Sequence, residues 1–505
     1  MKTKILFALL SLVTFATNAQ SNDAAAQSDA EKVKSTVTKN DIQAHIFFLA
    51  SDELKGRATG SAEIDIAANY LANNLRRYGV EPAGDDNSYY QQVRFEKMSP
   101  PQSIDLKMDQ LGSGKFIHLA VANTAFKGEA VFLGYGSEED FKSHDVKGKL
   151  ILVKGGMEGE SDLMINYRAG MKKRKMAQES GASGLVELIS LTDAEFARMA
   201  HHFNESRAVL ASKDGKPDFI HLWSTGQANE GEVKMEIGAV SRVELNITGV
   251  ETEKMSGRNV IGYLEGTDPK LKDEFVIYSA HYDHVGLGKP NAEMDSIYNG
   301  ARDNAVGTVT VLNAAENIGK YPTKRSSLFI FFTGEEEGLL GSRYFVENPT
   351  IALNRVVYCF NSDNGGYNDT GKTTIIGLNR TTVSEHFINA AEEFGLTAID
   401  DPAPEQNLFD RSDNVSFAAK GIPAPTYSMG FNAFDEEINK YYHQVTDNPN
   451  TLDYDYLYKF FQSYVLSARL IANDPETPFW TEGDKYYDAG MKLYQTKKQG
   501  PTIMD

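Results

Sequence analysis

From residue 41 onward the chain shows two kinds of apolar pattern. In IQAHIFFLASDELKG and SAEIDIAANYLANNLRRYGV the apolar residues recur at helical spacing, and the second segment closes on Gly79 as a helix stop does. Residues 115–242 break that rhythm. Short strand-like pieces, EAVFLGYG, KLILVKGG and SGLVELIS, are separated there by glycine and charge, with one helical piece over 169–180. Beyond them the runs FVIYSA, SSLFIFFT, RVVYCF, TTIIG and PAPTYSM are largely apolar and continuous, which suits strands covered on both faces. Helical patterns fall at 305–318, 339–347, 383–394 and 454–471. The last carries Leu457, Phe460, Phe461, Tyr464, Val465 and Ala468 on one stripe, a core-packing face. Strands alternating with helices predict an α/β fold around a mixed, mostly parallel sheet, interrupted by a small β-rich unit. Neither an internal repeat nor a coiled-coil heptad is present.

This pattern divides the chain into a main domain from 41–114 and 243–475, an insert at 115–242 and a tail at 476–505, whose Trp480, Tyr486 and Tyr487 are candidates to dock on the body. Residues 20–40 are small and polar and read as a flexible leader. Residues 1–19 place Lys2 and Lys4 before an apolar run ending in Thr17 and Ala19, the arrangement of a secretory signal peptide cleaved after Ala19. The expectation is an exported protein, periplasmic or extracellular, with no membrane span. At 505 residues and 41% apolar content the chain can bury more than one core. A net charge of −19 argues against nucleic-acid partners, which need a concentrated basic surface. Cys359 is the only cysteine, so an intrachain disulfide and a multi-thiolate metal site are excluded, and its apolar surroundings in VVYCF read as a buried strand position.

In an open parallel sheet the ligand crevice lies beyond the carboxyl ends of the strands. Here FVIYSA is followed by His281, Tyr282, Asp283 and His284; SSLFIFFTG by Glu335, Glu336 and Glu337; and RVVYCFNS by Asp363. Asp303 opens the helix that comes after a glycine-containing loop. Carboxylates crowded at one end of a sheet repel one another unless a cation lies between them, and imidazole with carboxylate is the usual zinc donor set without cysteine. A shared carboxylate could hold two cations a few ångströms apart with room for a bridging water, and a neighbouring Glu could take that water's proton. HExxH is absent, and so is a G-x-S-x-G elbow after a strand, which leaves an α/β-hydrolase serine triad without an anchor.

Taken in order, SAHYDHVG, DNAVG, TGEEEGLLGS, NSDNGG and YHQVTDN resemble the five motifs of the M28 zinc aminopeptidases. The resemblance implies a phosphorylase/hydrolase-like three-layer α/β sandwich and two Zn2+ per chain. It implies His281 and Asp363 on one metal, Glu336 and His443 on the other, Asp303 bridging, Glu335 as the base, and Asp283 orienting the His281 imidazole. The segment RSDNVSFAAKGIPAPTYSMG resembles the stretch that lines the family's cleft, so Asp413 and Tyr427 become candidate substrate contacts; Ser412 or Asp413 could equally cap a helix. Residues 115–242 are similar to a protease-associated (PA) domain, whose implied role is to cover the cleft or restrict substrates. The expected activity is hydrolysis of N-terminal residues from peptides. Alternatives of the same architecture are a one-zinc glutaminyl cyclase and a carboxypeptidase, the latter needing a carboxylate-binding arginine from among Arg302, Arg343, Arg355, Arg380 and Arg411. A peptide-binding protein that has lost the chemistry is disfavoured by the intact ligand and base positions. His284 is expected as packing or outer shell, His386 at the surface, and His201 and His202 exposed.

Overall fold

The computed structural model describes residues 27–108, 114–160, 163–203, 205–211, 219–225 and 235–495; the proposed signal segment 1–19 lies outside them. In the strands Phe275–His281, Ser326–Phe332 and Val356–Ser362 every residue is buried. The reason is the period-two alternation of a strand with both faces covered. Val276, Tyr278, Ala280, Phe329 and Phe331 enter one core, while Phe275, Ile277, Leu328, Ile330 and Phe332 enter another. Helices Lys39–Leu49, Ala62–Arg77, Gly307–Lys320, Ser384–Glu393 and Tyr454–Asn473 close the first core; Leu340–Glu347, Asn414–Ala418 and Tyr487–Gln495 close the second. The predicted helices of the main domain therefore form within a few residues of their expected limits.

The larger sheet runs in the order Thr397–Ile399, Lys372–Ile376, Thr426–Met429, Val356–Ser362, Phe275–His281, Ser326–Phe332, Thr252–Leu264, Tyr90–Met98 and Arg207–Leu210, with Glu81–Pro82 paired to Thr252–Leu264. The four neighbouring strands from Thr426–Met429 to Ser326–Phe332 are mutually parallel, Lys372–Ile376 pairs parallel with Thr397–Ile399, and the flank on each side joins the four-strand block antiparallel. The sheet is mixed, not mostly parallel as the pattern suggested, because hydropathy reports burial and not direction. In the parallel block the register sets His281 opposite Phe332, Ser279 opposite Asn361 and Ser362 opposite Tyr427. The segments that follow these strands therefore emerge along one edge.

A second sheet contains Ser103–Met108, Val240–Thr248, Thr124–Phe132, Leu150–Lys154, Gly184–Leu188, Ile220–Ser224 and Phe116–Ala120, in that order. It reaches from residue 103 to residue 248, wider than the 115–242 expected, since the strands Ser103–Met108 and Val240–Thr248 pair with each other through main-chain bonds that hydropathy does not reveal. Strand Arg207–Leu210 leaves this unit to join the edge of the larger sheet.

One further expectation changes, and the docking expected of the tail is found. The leader is ordered from residue 27: Ser28 caps the helix Asp29–Lys34, Val33 is buried, and Asp29 pairs with Arg469 at 2.8 Å. The tail is part of the fold, because Trp480 is buried and its indole N–H donates to Gly421 O at 2.9 Å. Among the described residues no helix is long and apolar enough to cross a membrane.

Candidate metal centre

His281 ends its strand, and its Nε2 stands 3.2 Å from Asp363 Oδ1 and 3.4 Å from Asp303 Oδ1. On the other side His443 Nε2 stands 3.0 Å from Asp303 Oδ2 and 3.2 Å from Glu336 Oε2. Asp303 thus turns one oxygen toward each imidazole. Donors held about 2.0–2.1 Å from a tetrahedral zinc lie roughly 3.3 Å from one another, so these separations suit two coordination spheres sharing Asp303. Glu335 and Glu336 also come within donor-group reach of His281. The five expected ligand positions and the expected base are brought together from three strand ends, one turn and one loop.

The electrostatics agree with the donor set. Burial alone would disfavour ionised carboxylates here. Asp303 is nevertheless held well below the usual carboxylate range, because hydrogen bonds from His281 and His443 outweigh its burial. Glu336 is likewise brought down to about 2, its burial and the nearby Asp303 charge opposed by His284 and His443. Burial pulls the imidazoles down, yet the surrounding carboxylates raise His443 to about 10 and His281 well above its ordinary value. Protons on imidazole supply the positive charge that a cation would supply, and metal binding would displace them. Glu335 is different: burial, reinforced by Asp363, Glu336 and Asp413, pushes its carboxyl well up against the pull of His281.

Supporting contacts explain how the loops hold. Asp447 is buried and accepts from the backbone N–H of Arg302 at 2.9 Å and of Asp303 at 3.3 Å, and from the Arg302 guanidinium at 3.0 Å. Asn304 donates to Ser362 O at 2.9 Å and accepts from Gly307 N at 3.0 Å, fastening the Asp303 turn to the strand that precedes Asp363. A side chain at Gly307 would collide with Ser362 O, which accounts for the glycine of DNAVG. Arg57, wholly buried, donates to the carbonyls of Leu49, Tyr282, Asn299 and Gly300; burial brings it down to about 10 although Asp283, Asp303, Asp447 and Glu336 oppose this. Arg57 carried no local signal, since it acts through backbone groups remote in the chain; Asp447 stood within the quoted YHQVTDN, but its partners in Arg302 and Asp303 are equally remote.

Other expected roles shift. The Asp283 carboxylate stands 3.7 Å from His281 Nδ1, and its main-chain carbonyl, at 3.2 Å, is the nearer partner. The carboxylate instead accepts from Glu335 N at 3.2 Å, Glu336 N at 3.3 Å and Thr59 Oγ1 at 3.0 Å. Of the two places expected for His284, packing or outer shell, the structure has it beside Glu336, its Nδ1 2.7 Å from Glu336 Oε1.

A cavity of about 360 Å³ opens over the centre and is lined by Thr426 and Ser428. Tyr427, expected to contact substrate, points the other way into the core, where its hydroxyl bonds Ser463. Strand alternation makes this unavoidable: if 426 and 428 face the cavity, 427 cannot. Asp413 is likewise buried outside the lining, neither oxygen capping the following helix, and burial pushes it up to about 7. The tyrosine that does face the cavity is Tyr442, stacked on His443 with ring centroids 4.2 Å apart. His386 is half-buried and pairs with Asp474; the side chains of His201 and His202 lie outside the described residues. Cys359 is fully buried and its thiol is pushed up by that burial, as a core position should be.

Residues 259–466 match peptidase family M28. Aminopeptidase YwaD of Bacillus subtilis is 22% identical over 415 residues, covering 79% of this chain and 77% of that protein. A probable leucine aminopeptidase 2 of Aspergillus oryzae is 22% identical over 450 residues, covering 83% and 81% respectively. Among solved structures, an aminopeptidase from Aneurinibacillus sp. strain AM-1 superposes with a TM-score of 0.54 at 20% identity, over 89% of this chain and 97% of that one.

Proposed function

We propose that this chain is an exported peptide hydrolase of the M28 type, an exopeptidase that removes N-terminal residues from peptides with two Zn2+ as cofactors; the match of residues 259–466 to that family and the aminopeptidase relatives support this reading. The observation that carries this reading is Asp303, whose two oxygens stand 3.4 Å from His281 and 3.0 Å from His443. His281 and Asp363 would hold one ion, Glu336 and His443 the other, and Asp303 would be shared. The His284 imidazole fixes the orientation of Glu336.

Zinc bound there would polarise the scissile carbonyl and acidify water. The chain's own groups do the rest. Glu335, kept basic enough by its buried, carboxylate-rich surroundings, accepts a proton from the attacking water at a carboxylate oxygen and delivers it to the leaving amine. Asp283 holds the Glu335 and Glu336 main chain in place. We assign the developing oxyanion to the Tyr442 hydroxyl, in place of Tyr427. The same reading takes residues 1–19 as the export signal, the main body as a phosphorylase/hydrolase-like three-layer sandwich, and the second sheet as a PA module that restricts substrates.

The test is metal analysis on the purified protein together with a panel of aminoacyl and N-acylated peptides. About two zinc per chain and cleavage confined to free amino termini are expected. Hydrolysis of blocked peptides, or a single metal with pyroglutamate formation from N-terminal glutamine, would overturn the proposal.

A further inference from the structure

The cavity holds one charge for which peptide hydrolysis alone gives no use. Its lining contains five carboxylates, Asp303, Glu335, Glu336, Asp363 and Asp410, and a single arginine or lysine, Arg411. The other arginines weighed as carboxylate anchors stand outside that lining: Arg302 is buried on Asp447, Arg355 pairs with Asp273, Arg380 with Asp484, and Arg343 bonds the Gly338 carbonyl. Arg411 is exposed and forms no ion pair among the described residues. Its adjacent carboxylate, Asp410, is engaged by Lys485 at 2.8 Å and by the Tyr486 hydroxyl at 3.2 Å. What Arg411 touches is the Tyr442 hydroxyl, at 3.4 Å.

That contact fixes where the guanidinium is. Tyr442 stacks on His443, whose Nε2 lies 3.0 Å from Asp303, so Arg411 sits one tyrosine side chain away from the centre. In a dipeptide the terminal carboxylate is three bonds beyond the scissile carbonyl carbon, a separation this spacing can accommodate. Four of the lining carboxylates belong to the proposed metal centre and Asp410 is engaged by Lys485, so Arg411 is the arginine or lysine of the lining that can meet a substrate anion, and a guanidinium offers a carboxylate a paired, charge-assisted donor set.

We propose that Arg411 binds a carboxylate of the substrate next to the bond being cut. On the peptidase reading above, on which this rests, the preferred substrates are then dipeptides with a free carboxyl terminus or peptides with an acidic second residue. Three probes separate the sources: leucyl-alanine, leucyl-alaninamide, and leucyl-glutamic acid blocked as its α-amide.

In the wild type, kcat/KM for one or both carboxylate-bearing probes should exceed that for leucyl-alaninamide by about tenfold or more, the worth of a hydrogen bond to a charged group. Preference for leucyl-alanine identifies the terminal carboxylate, and preference for the blocked glutamyl probe identifies the side chain. Arg411→Ala should bring the acid-to-amide ratio to near one, Arg411→Lys should leave part of it, and added salt should shrink it in the wild type. Equal turnover of all three probes by the wild type, or an equal loss on all three in Arg411→Ala, overturns the assignment. A wild-type protein that cleaves none of them overturns the peptidase reading instead.

Discussion

Glu335 differs from Asp303 and Glu336 in one property: its surroundings push its proton affinity up, whereas theirs bring their own down. A base must take a proton and a ligand must not, so this difference supports the division of roles proposed above. Glu335→Gln keeps the size and loses the acceptor; kcat should fall by about 10²–10⁴ while zinc content, read by elemental analysis, stays at the wild-type level. Undiminished turnover in that variant would remove Glu335 from the reaction. A second residue reports on stability. His45 is buried with both ring nitrogens on tyrosine hydroxyls, Tyr70 at 2.7 Å and Tyr78 at 3.2 Å, and burial brings it down to about 4 from 6.5. The unfolded chain therefore binds a proton below about pH 6.5 that the folded one refuses until about pH 4, so stability falls as pH falls through that window. The loss amounts to about 3 kcal/mol. Denaturant titrations at pH 7 and pH 4.5 should show it in the wild type, and His45→Gln should flatten that part of the profile.

Between elements, the important join is the one linking the turn Ala301–Val306 to the loop that bears His443. Asp447 makes it, receiving the Arg302 guanidinium and two backbone N–H groups, while Arg302 also stacks 3.6 Å from the Tyr441 ring centroid. Removing one member of a buried pair leaves the other charge uncompensated, at a cost of about 3–5 kcal/mol. Asp447→Ala should therefore lower the melting temperature, and zinc affinity measured by chelator competition should weaken, because Asp303 and His443 are no longer held to a common frame. Unchanged zinc affinity in a folded Asp447→Ala protein would show that the two segments are positioned independently.

The second sheet is not a detachable appendage. Its excursion Arg207–Leu210 extends the larger sheet, and the Ala208 N–H donates to Glu337 at 3.1 Å, one residue from a proposed zinc ligand. Joining the chain across residues 103–248 should lower kcat/KM about tenfold to a hundredfold even on a small aminoacyl anilide, since small misplacements of catalytic groups are costly. Full activity on that substrate would limit the unit to selecting longer peptides. Read along the chain, continuous apolar runs identified the buried strands, periodicity identified the helices, and acidic or imidazole groups directly after strands marked His281, Glu335, Glu336 and Asp363, because those features are local and the crevice of an open sheet lies at strand ends. Strand direction, the limits 103 and 248, the inward turn of Tyr427, the approach of His284 to Glu336, and the convergence of Arg57, Asp447 and Arg411 on one centre were not local. They depend on main-chain pairing and on which side chains meet across long loops, quantities that exist once the chain has closed on itself and that no single stretch of residues encodes.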